Sequence, residues 1–339
     1  MKAVMFRGPQ APITVEQIPD PTPGEGQVVI KVGRCGICGS DVHLTQEHGF
    51  YPENAALGHE FSGEIVEVGK GVENFRKGDI IAAMPATGCG VCLPCRTSGV
   101  FSCEQGVAGN TGAFAEYANV HARSAIKLPS TLTLADGAMV EPLAVGMHGV
   151  RLAGLAPGAR VLVLGAGAIG LAVIHFARLL GAGRIVAASR STKRADIADR
   201  MGADAFVQTG EGELERVIRA LGGLPDVVFE TIGVVGALSQ AIGLVRPDGT
   251  VISLGFCTKP DSVVPALATF RQVRLIFSMA YTLGDFQFVA DSLDRGHVEP
   301  RAMLGPSAIT LDEVPETIMR LRSSSGNEVK IQADPWLRR

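Results

Sequence analysis

Cys38-Gly-Ser40-Asp41-Val-His43, followed by Gly58-His59-Glu60, places a thiolate, an imidazole and a carboxylate close together in the chain. Those are donor types that zinc accepts. Three protein ligands can leave one tetrahedral position open for water or substrate, which separates a catalytic zinc site from a closed structural one. Ser40 and His43 add a hydroxyl and a second imidazole beside the first candidate ligand, a pair suited to moving a proton. Taken alone, His43 reads equally well as a surface histidine. Its position five residues after Cys38, with Ser40 between, favours the relay.

A second cluster, Cys89-Gly-Val-Cys92-Leu-Pro-Cys95 and then Cys103, has the spacing C-x2-C-x2-C-x7-C. Four thiolates within fifteen residues suit a closed tetrahedral zinc that holds a lobe in shape. Only Arg96 lies between these cysteines, so no basic surface accompanies them, and a nucleic-acid ribbon is disfavoured. Cys35 and Cys257 fit neither pattern and are expected in the core.

Gly165-Ala-Gly167-Ala168-Ile169-Gly170 matches G-x-G-x-x-G, between a predicted strand and a predicted helix. The first glycine permits the tight turn, the second admits a pyrophosphate against backbone amides, and the third lets helix and strand pack closely. The phosphates then sit at the positive end of the helix. An NAD site carries an acid about 20 residues further on, to accept from the ribose 2′-hydroxyl. Here Ser189 stands 19 residues after Gly170, followed by Arg190, Lys193 and Arg194. No carboxylate repels a 2′-phosphate, and guanidinium matches phosphate geometry, so NADP(H) is preferred over NAD(H). The plainer alternative is a set of solvated charges at a helix start.

The elements that must position these groups follow two patterns. Residues 1–150 read as β-rich, with strands at 1–6, 28–32, 63–68 and 112–118, punctuated by glycine and proline. From 151 onward the chain alternates. Val161-Leu-Val-Leu164 is a continuous apolar run, as for a parallel strand buried on both faces. Helices are predicted at 168–180, 193–201, 214–220 and 237–244, and strands at 184–188, near 206, at 227–230 and at 250–254. That order makes a doubly wound parallel sheet, the Rossmann arrangement, over 151–285. The segment 286–339 adds helices near 285–294 and 314–321, a surface turn at 323–326 and a strand at 329–331.

At 339 residues, 46% hydrophobic and 19% charged, the chain suits two globular domains. A net charge of −3 gives no footprint for nucleic acid or an anionic membrane. No apolar run reaches the roughly 18 residues of a membrane span. The seven cysteines are clustered and odd in number, and the first residues read as a strand rather than an export signal. Metal binding in a cytoplasmic protein is therefore expected over a disulfide framework.

The motif Gly36-Ile-Cys-Gly-Ser-Asp-Val-His43, Leu57-Gly-His-Glu60, the four-cysteine lobe, Glu141-Pro-Leu-Ala-Val-Gly146 and the glycine fingerprint resemble the zinc-containing medium-chain alcohol dehydrogenases, across nearly the full chain. Within that family the sequence looks most like the sorbitol and threonine dehydrogenase branch, where a glutamate stands at the position of Glu141. The resemblance implies a GroES-like catalytic domain over 1–150, completed by 286–339, with the active site in the cleft beside the Rossmann domain. It implies two zinc ions per chain and a dimer or tetramer of identical subunits. Cys38 and His59 would be ligands of the catalytic zinc, and Glu60 and Glu141 both remain candidates for the third protein ligand. Asp41 would orient His59 and fix its tautomer. Ser40 would receive the substrate proton, and the cofactor ribose and His43 would pass it outward. The implied reaction is hydride transfer between the nicotinamide and an alcohol or carbonyl carbon, with zinc polarising the oxygen.

One departure bears on substrate. Sugar-alcohol dehydrogenases of this type carry arginine in a Phe-Arg-Tyr step. The matching step here is Met279-Ala280-Tyr281. A pocket lined by Phe277, Met279 and Phe50 would leave polyol hydroxyls unpaired, at roughly 1–3 kcal/mol each. A secondary alcohol or ketone less polar than a sugar is expected, with polyol or amino-alcohol dehydrogenation as the alternative. Zinc-free quinone or enoyl reductases lack the Cys38–His59–Glu60 set. A nucleotide-binding sensor without turnover would show damage to the ligands or relay, and neither is damaged.

Overall fold

The computed structural model describes residues 1–46, 52–323 and 328–338. His48 and Phe50, and residues 324–326 of the turn expected at 323–326, lie outside the described residues, while Ser323 ends a helix. The chain divides into two compact units. One comprises Met1–Glu141, Thr282–His297 and Leu304–Arg339, and the other Pro142–Tyr281 and Val298–Met303.

In the first unit a six-stranded sheet is built on two long strands, Gln27–Gly36 and Glu60–Val68, paired antiparallel. Val28, Ile30 and Val32 point into a core with Phe61, Ile65 and Ile81, all essentially inaccessible. The register sets up the chemistry. Gly36 lies opposite Glu60 on one side and Gln332 on the other, so three distant segments meet at the residue that leads into Ile37-Cys38. Only glycine fits there, because a Cβ at Gly36 would collide with the Glu60 carboxylate.

The second unit holds a six-stranded, all-parallel sheet. Its order is Ala205–Gln208, Arg184–Ser189, Arg160–Leu164, Val227–Glu230, Thr250–Ser253, Arg274–Phe277. The strand order reverses between Arg160–Leu164 and its neighbour Val227–Glu230, and dinucleotides bind at such a switch point.

Several expectations shift. Residues 112–116 do not form a strand, and the strand is Tyr117–His121. Phe114 instead shares its backbone groups between Val4 and Leu57, which holds the segment between two neighbours. The helix expected at 193–201 is Ala195–Arg200. The terminal strand is Gln332–Ala333, with Lys330 forming only an isolated bridge to Leu304. A 20-residue helix, Leu134–Ala153, runs through the stretch expected to be β-rich. Cys35 is buried as expected, but Cys257 is exposed, its thiol donating to the Lys259 carbonyl at 3.4 Å. No helix among the described residues is long and apolar enough to cross a membrane.

Candidate metal and dinucleotide sites

Cys38 precedes the short helix Gly39–His43, and His59 and Glu60 sit at the start of the Glu60–Val68 strand. The strand register brings the two places together. Ligand atoms of Cys38, His59 and Glu60 all lie within 4.8 Å of one another. Asp41 is fully buried and does two jobs. One carboxylate oxygen accepts from the Cys38 amide at 2.9 Å, and the other lies 3.5 Å from His59 Nδ1. That arrangement favours the proton on Nδ1 and leaves Nε2 as the metal-facing lone pair. Ser40 Oγ is 3.4 Å from the same Nε2. His43, at the other end of the helix, is exposed. Glu141 is buried on the Leu134–Ala153 helix and falls outside the 4.8 Å trio. Its charge nevertheless reaches this cluster through Lys330.

Lys330 is the residue that sequence reasoning missed. It is 3% exposed and donates to both Glu60 oxygens, at 2.6 and 2.7 Å, and to the Ile37 carbonyl at 3.2 Å. Burial opposes its charge, but Glu60, Cys38 and Glu141 outweigh burial and hold its ammonium above the usual lysine range. A hint was present in the sequence. Lys330 stands between Val329 and Ile331 in the strand expected near the end of the chain, a lysine buried there needs an anion, and the candidate site carries one carboxylate more than a three-ligand zinc uses. Cys35, beside the trio, has its thiol pushed up by burial, and the nearby Asp41 acts in the same direction.

Cys89, Cys92, Cys95 and Cys103 also converge within 4.8 Å of one another. The Cys89 amide donates to Cys103 Sγ at 3.3 Å and the Cys92 amide to Cys89 Sγ at 3.4 Å. Gly88 has no room for a Cβ beside Cys95 Sγ. Backbone amides of Cys92 and Val91 bring the Cys89 thiol down to about 6. The Gly90 amide acts the same way on Cys95, yet burial and the other three sulfurs push it up to about 12. The sulfurs thus compete for negative charge, a conflict that a divalent cation removes. The donor set fits tetrahedral zinc.

In the second unit Gly165 has φ +104°, the left-handed turn that glycine tolerates. A Cβ at Gly170 would strike the Gly165 carbonyl, whereas one at Gly167 would meet nothing. Gly167 is the N-cap of the Ala168–Leu179 helix and makes no side-chain cap, so the first-turn amides of Ala168, Ile169 and Gly170 face an open cradle. That cradle fits a pyrophosphate. Ser189 ends its strand half-buried, and Arg190 and Lys193 are exposed. Arg194 folds back to donate to the Ala166 carbonyl at 3.1 Å, tying the basic loop to the glycine loop, and burial lowers its pKa. Glu230 also escaped the sequence reading. It is buried at the end of Val227–Glu230 and accepts from the amides of Ile232 and Gly233 at 2.6 and 2.8 Å, which shapes the neighbouring loop.

Residues 24–130 match the alcohol dehydrogenase GroES-like domain, and 168–295 match the zinc-binding dehydrogenase family. The chain is 35% identical over 283 residues to (R,R)-butanediol dehydrogenase of Bacillus subtilis, covering 78% of this chain and 80% of that one. It is 31% identical over 343 residues to sorbitol dehydrogenase of Gallus gallus, covering 95% and 94%. A crystal structure described as a zinc-binding dehydrogenase from Sinorhizobium meliloti, bound to NADP, superposes with a TM-score of 0.89. It is 33% identical over 98% of this chain and 99% of that one. The chain belongs to the zinc-containing medium-chain alcohol dehydrogenases, oxidoreductases that act on alcohols.

Proposed function

We propose that the chain interconverts a secondary alcohol less polar than a sugar and its ketone, using NADP(H), with one catalytic and one structural zinc. The observation that carries the reading is the convergence of Cys38, His59 and Glu60 within 4.8 Å, with the Ser40 hydroxyl 3.4 Å from His59. Cys38, His59 and Glu60 hold the catalytic ion, Glu141 adds a second carboxylate charge nearby, and Cys89, Cys92, Cys95 and Cys103 hold the other ion. Bound there, zinc supplies Lewis acidity to the substrate oxygen. Asp41 fixes the His59 tautomer. Ser40 exchanges the substrate proton, and His43, at the exposed end of the same helix, passes it to solvent. The amides of residues 168–170 receive the pyrophosphate, and Ser189, Arg190, Lys193 and Arg194 receive the ribose 2′-phosphate.

Two observations support the apolar substrate. Val234, Val235, Phe256, Phe277 and Met279 are exposed at the carboxyl ends of three adjacent strands, where open α/β sheets bind ligands. Ala280 takes a left-handed backbone at φ +52° and offers no donor. The test is the oxidation of NADPH and of NADH against a panel running from fructose to cyclohexanone and acetophenone. Turnover at the apolar end with NADPH is expected. Preference for fructose would overturn the substrate assignment, and preference for NADH the cofactor assignment.

A further inference from the structure

The helix that carries the proposed proton path is only five residues long, Gly39–His43. Helices this short do not persist by themselves, because nucleation is unfavourable and each end leaves backbone groups unpaired. Its first end is held locally, through the Asp41 carboxylate on the Cys38 amide. Its last end runs into the 3-10 turn Leu44–Gln46, where Gln46 Nε2 donates to the Val42 carbonyl at 3.1 Å, and it is also held from the far end of the sequence. Arg322, on the helix Val314–Ser323, donates through Nε to the Val42 carbonyl at 3.1 Å and through Nη2 to Thr45 Oγ1 at 2.7 Å. Thr45 is 1% exposed, and its hydroxyl donates in turn to the Asp41 carbonyl at 2.6 Å. Two of the terminal carbonyls are thereby satisfied, and a cation sits where the helix dipole is negative. Apolar packing backs the contact, since Val42 shares a core cluster with Val314, Ile318 and Leu321.

We infer that Arg322 is a positioning residue for the proton relay: through Thr45 and the Val42 carbonyl it fixes the His43 end of this helix, while Asp41 independently fixes the Cys38 end. The inference rests on the reading of His43 as the outward step of the proton path. The division of labour makes it testable. Loss of the guanidinium should loosen the relay end and leave the metal end in place. Cobalt-substituted Arg322→Met should therefore keep the wild-type visible spectrum. Hydrogen exchange should speed up in a peptide covering 40–46 and stay unchanged in one covering 58–66. With the better of cyclohexanone and fructose, kcat should fall by up to about a hundredfold, the scale of a catalytic group misplaced by a remote change. KM for NADPH should be unchanged, and the solvent deuterium isotope effect on kcat should rise as proton transfer becomes limiting. Arg322→Lys should recover part of kcat, and Thr45→Val should reproduce the loss should Arg322→Met fold poorly.

The double variant Arg322→Met with His43→Asn should be no slower than His43→Asn alone. Additive losses, an altered cobalt spectrum, or an unchanged kcat where His43→Asn is slow would overturn the assignment of Arg322. If His43→Asn itself moves neither kcat nor the isotope effect, the relay reading fails first, and the inference fails with it.

Discussion

Replacement of Lys330 by methionine should destabilise the protein strongly when metal is absent and weakly when it is present. The side chain keeps its length and apolar stem, so packing is largely retained. What goes is the ammonium held between both oxygens of Glu60 and the Ile37 carbonyl. Glu60 is 1% exposed, so no water replaces the lost partner. Removal of one member of such a pair costs about 3–5 kcal/mol, most of it from the stranded charge. At roughly 2–4 °C per kcal/mol for a unit of this size, the melting midpoint should fall by at least about 6 °C.

A divalent ion beside Glu60 replaces the missing positive charge. The deficit should then shrink to less than half in zinc-loaded protein, and by linkage the variant should bind the ion more tightly. The assay is near-ultraviolet circular dichroism melting of chelator-treated and zinc-loaded samples, for wild type, Lys330→Met and the double variant Lys330→Met with Glu60→Gln. The double variant has no stranded charge, so its metal-free midpoint should return most of the way to wild type. Equal losses with and without zinc, or a double variant no better than the single one, would show that Lys330 acts by packing rather than as a counter-ion.

Three further outcomes follow from other parts of the structure. Arg190→Asp puts a carboxylate beside the expected 2′-phosphate, and should weaken NADPH binding at least about tenfold while sparing NADH, as read by nucleotide fluorescence titration. Gly170→Ala drives a Cβ into the Gly165 carbonyl and should abolish binding of both nucleotides while leaving the zinc content intact. Asp226 is subject to a burial cost, but Arg160 and Arg246 outweigh it and bring its carboxyl down to about 2. A depressed carboxylate contributes stability above its unfolded pKa near 3.8 and loses it as pH falls through about 2. Asp226→Asn should therefore cost about 2 kcal/mol in denaturant titrations at pH 7, with the deficit vanishing as pH approaches 2.

What was legible in the sequence is what is local in the chain. Cys38, Ser40, Asp41, His43, His59 and Glu60 span 23 residues, and the four lobe cysteines span fifteen, so spacing alone exposes them. The glycine fingerprint announces itself in the same way. The Leu134–Ala153 helix was hidden because its interior carries Gly137, Pro142, Gly146 and Gly149, which read as breakers. Three of those glycines are contact positions: a side chain at Gly137 would meet Ser62 and Leu128, at Gly146 Ala172, and at Gly149 Leu254. Tertiary packing there overrides helix propensity.

All but a hint of Lys330, and all of Arg322, stayed unread for a different reason. Their partners lie 270 and 280 residues away, and a single lysine or arginine carries no spacing signal. Yet both are demanded by the local chemistry. A buried cluster that sets Glu60 and Glu141 near Cys38 calls for a buried cation, and a five-residue helix with a candidate group near each end gains from an external brace. The fold answers both needs from two segments near its C-terminal end: Gln332 pairs with Gly36 and sets Lys330 beside the ligand loop, and the helix Val314–Ser323 brings Arg322 to Thr45. The sequence motif therefore names the candidate groups for the chemistry, while the run into the last strand and the Val314–Ser323 helix supply the cations that contact Glu60, Val42 and Thr45.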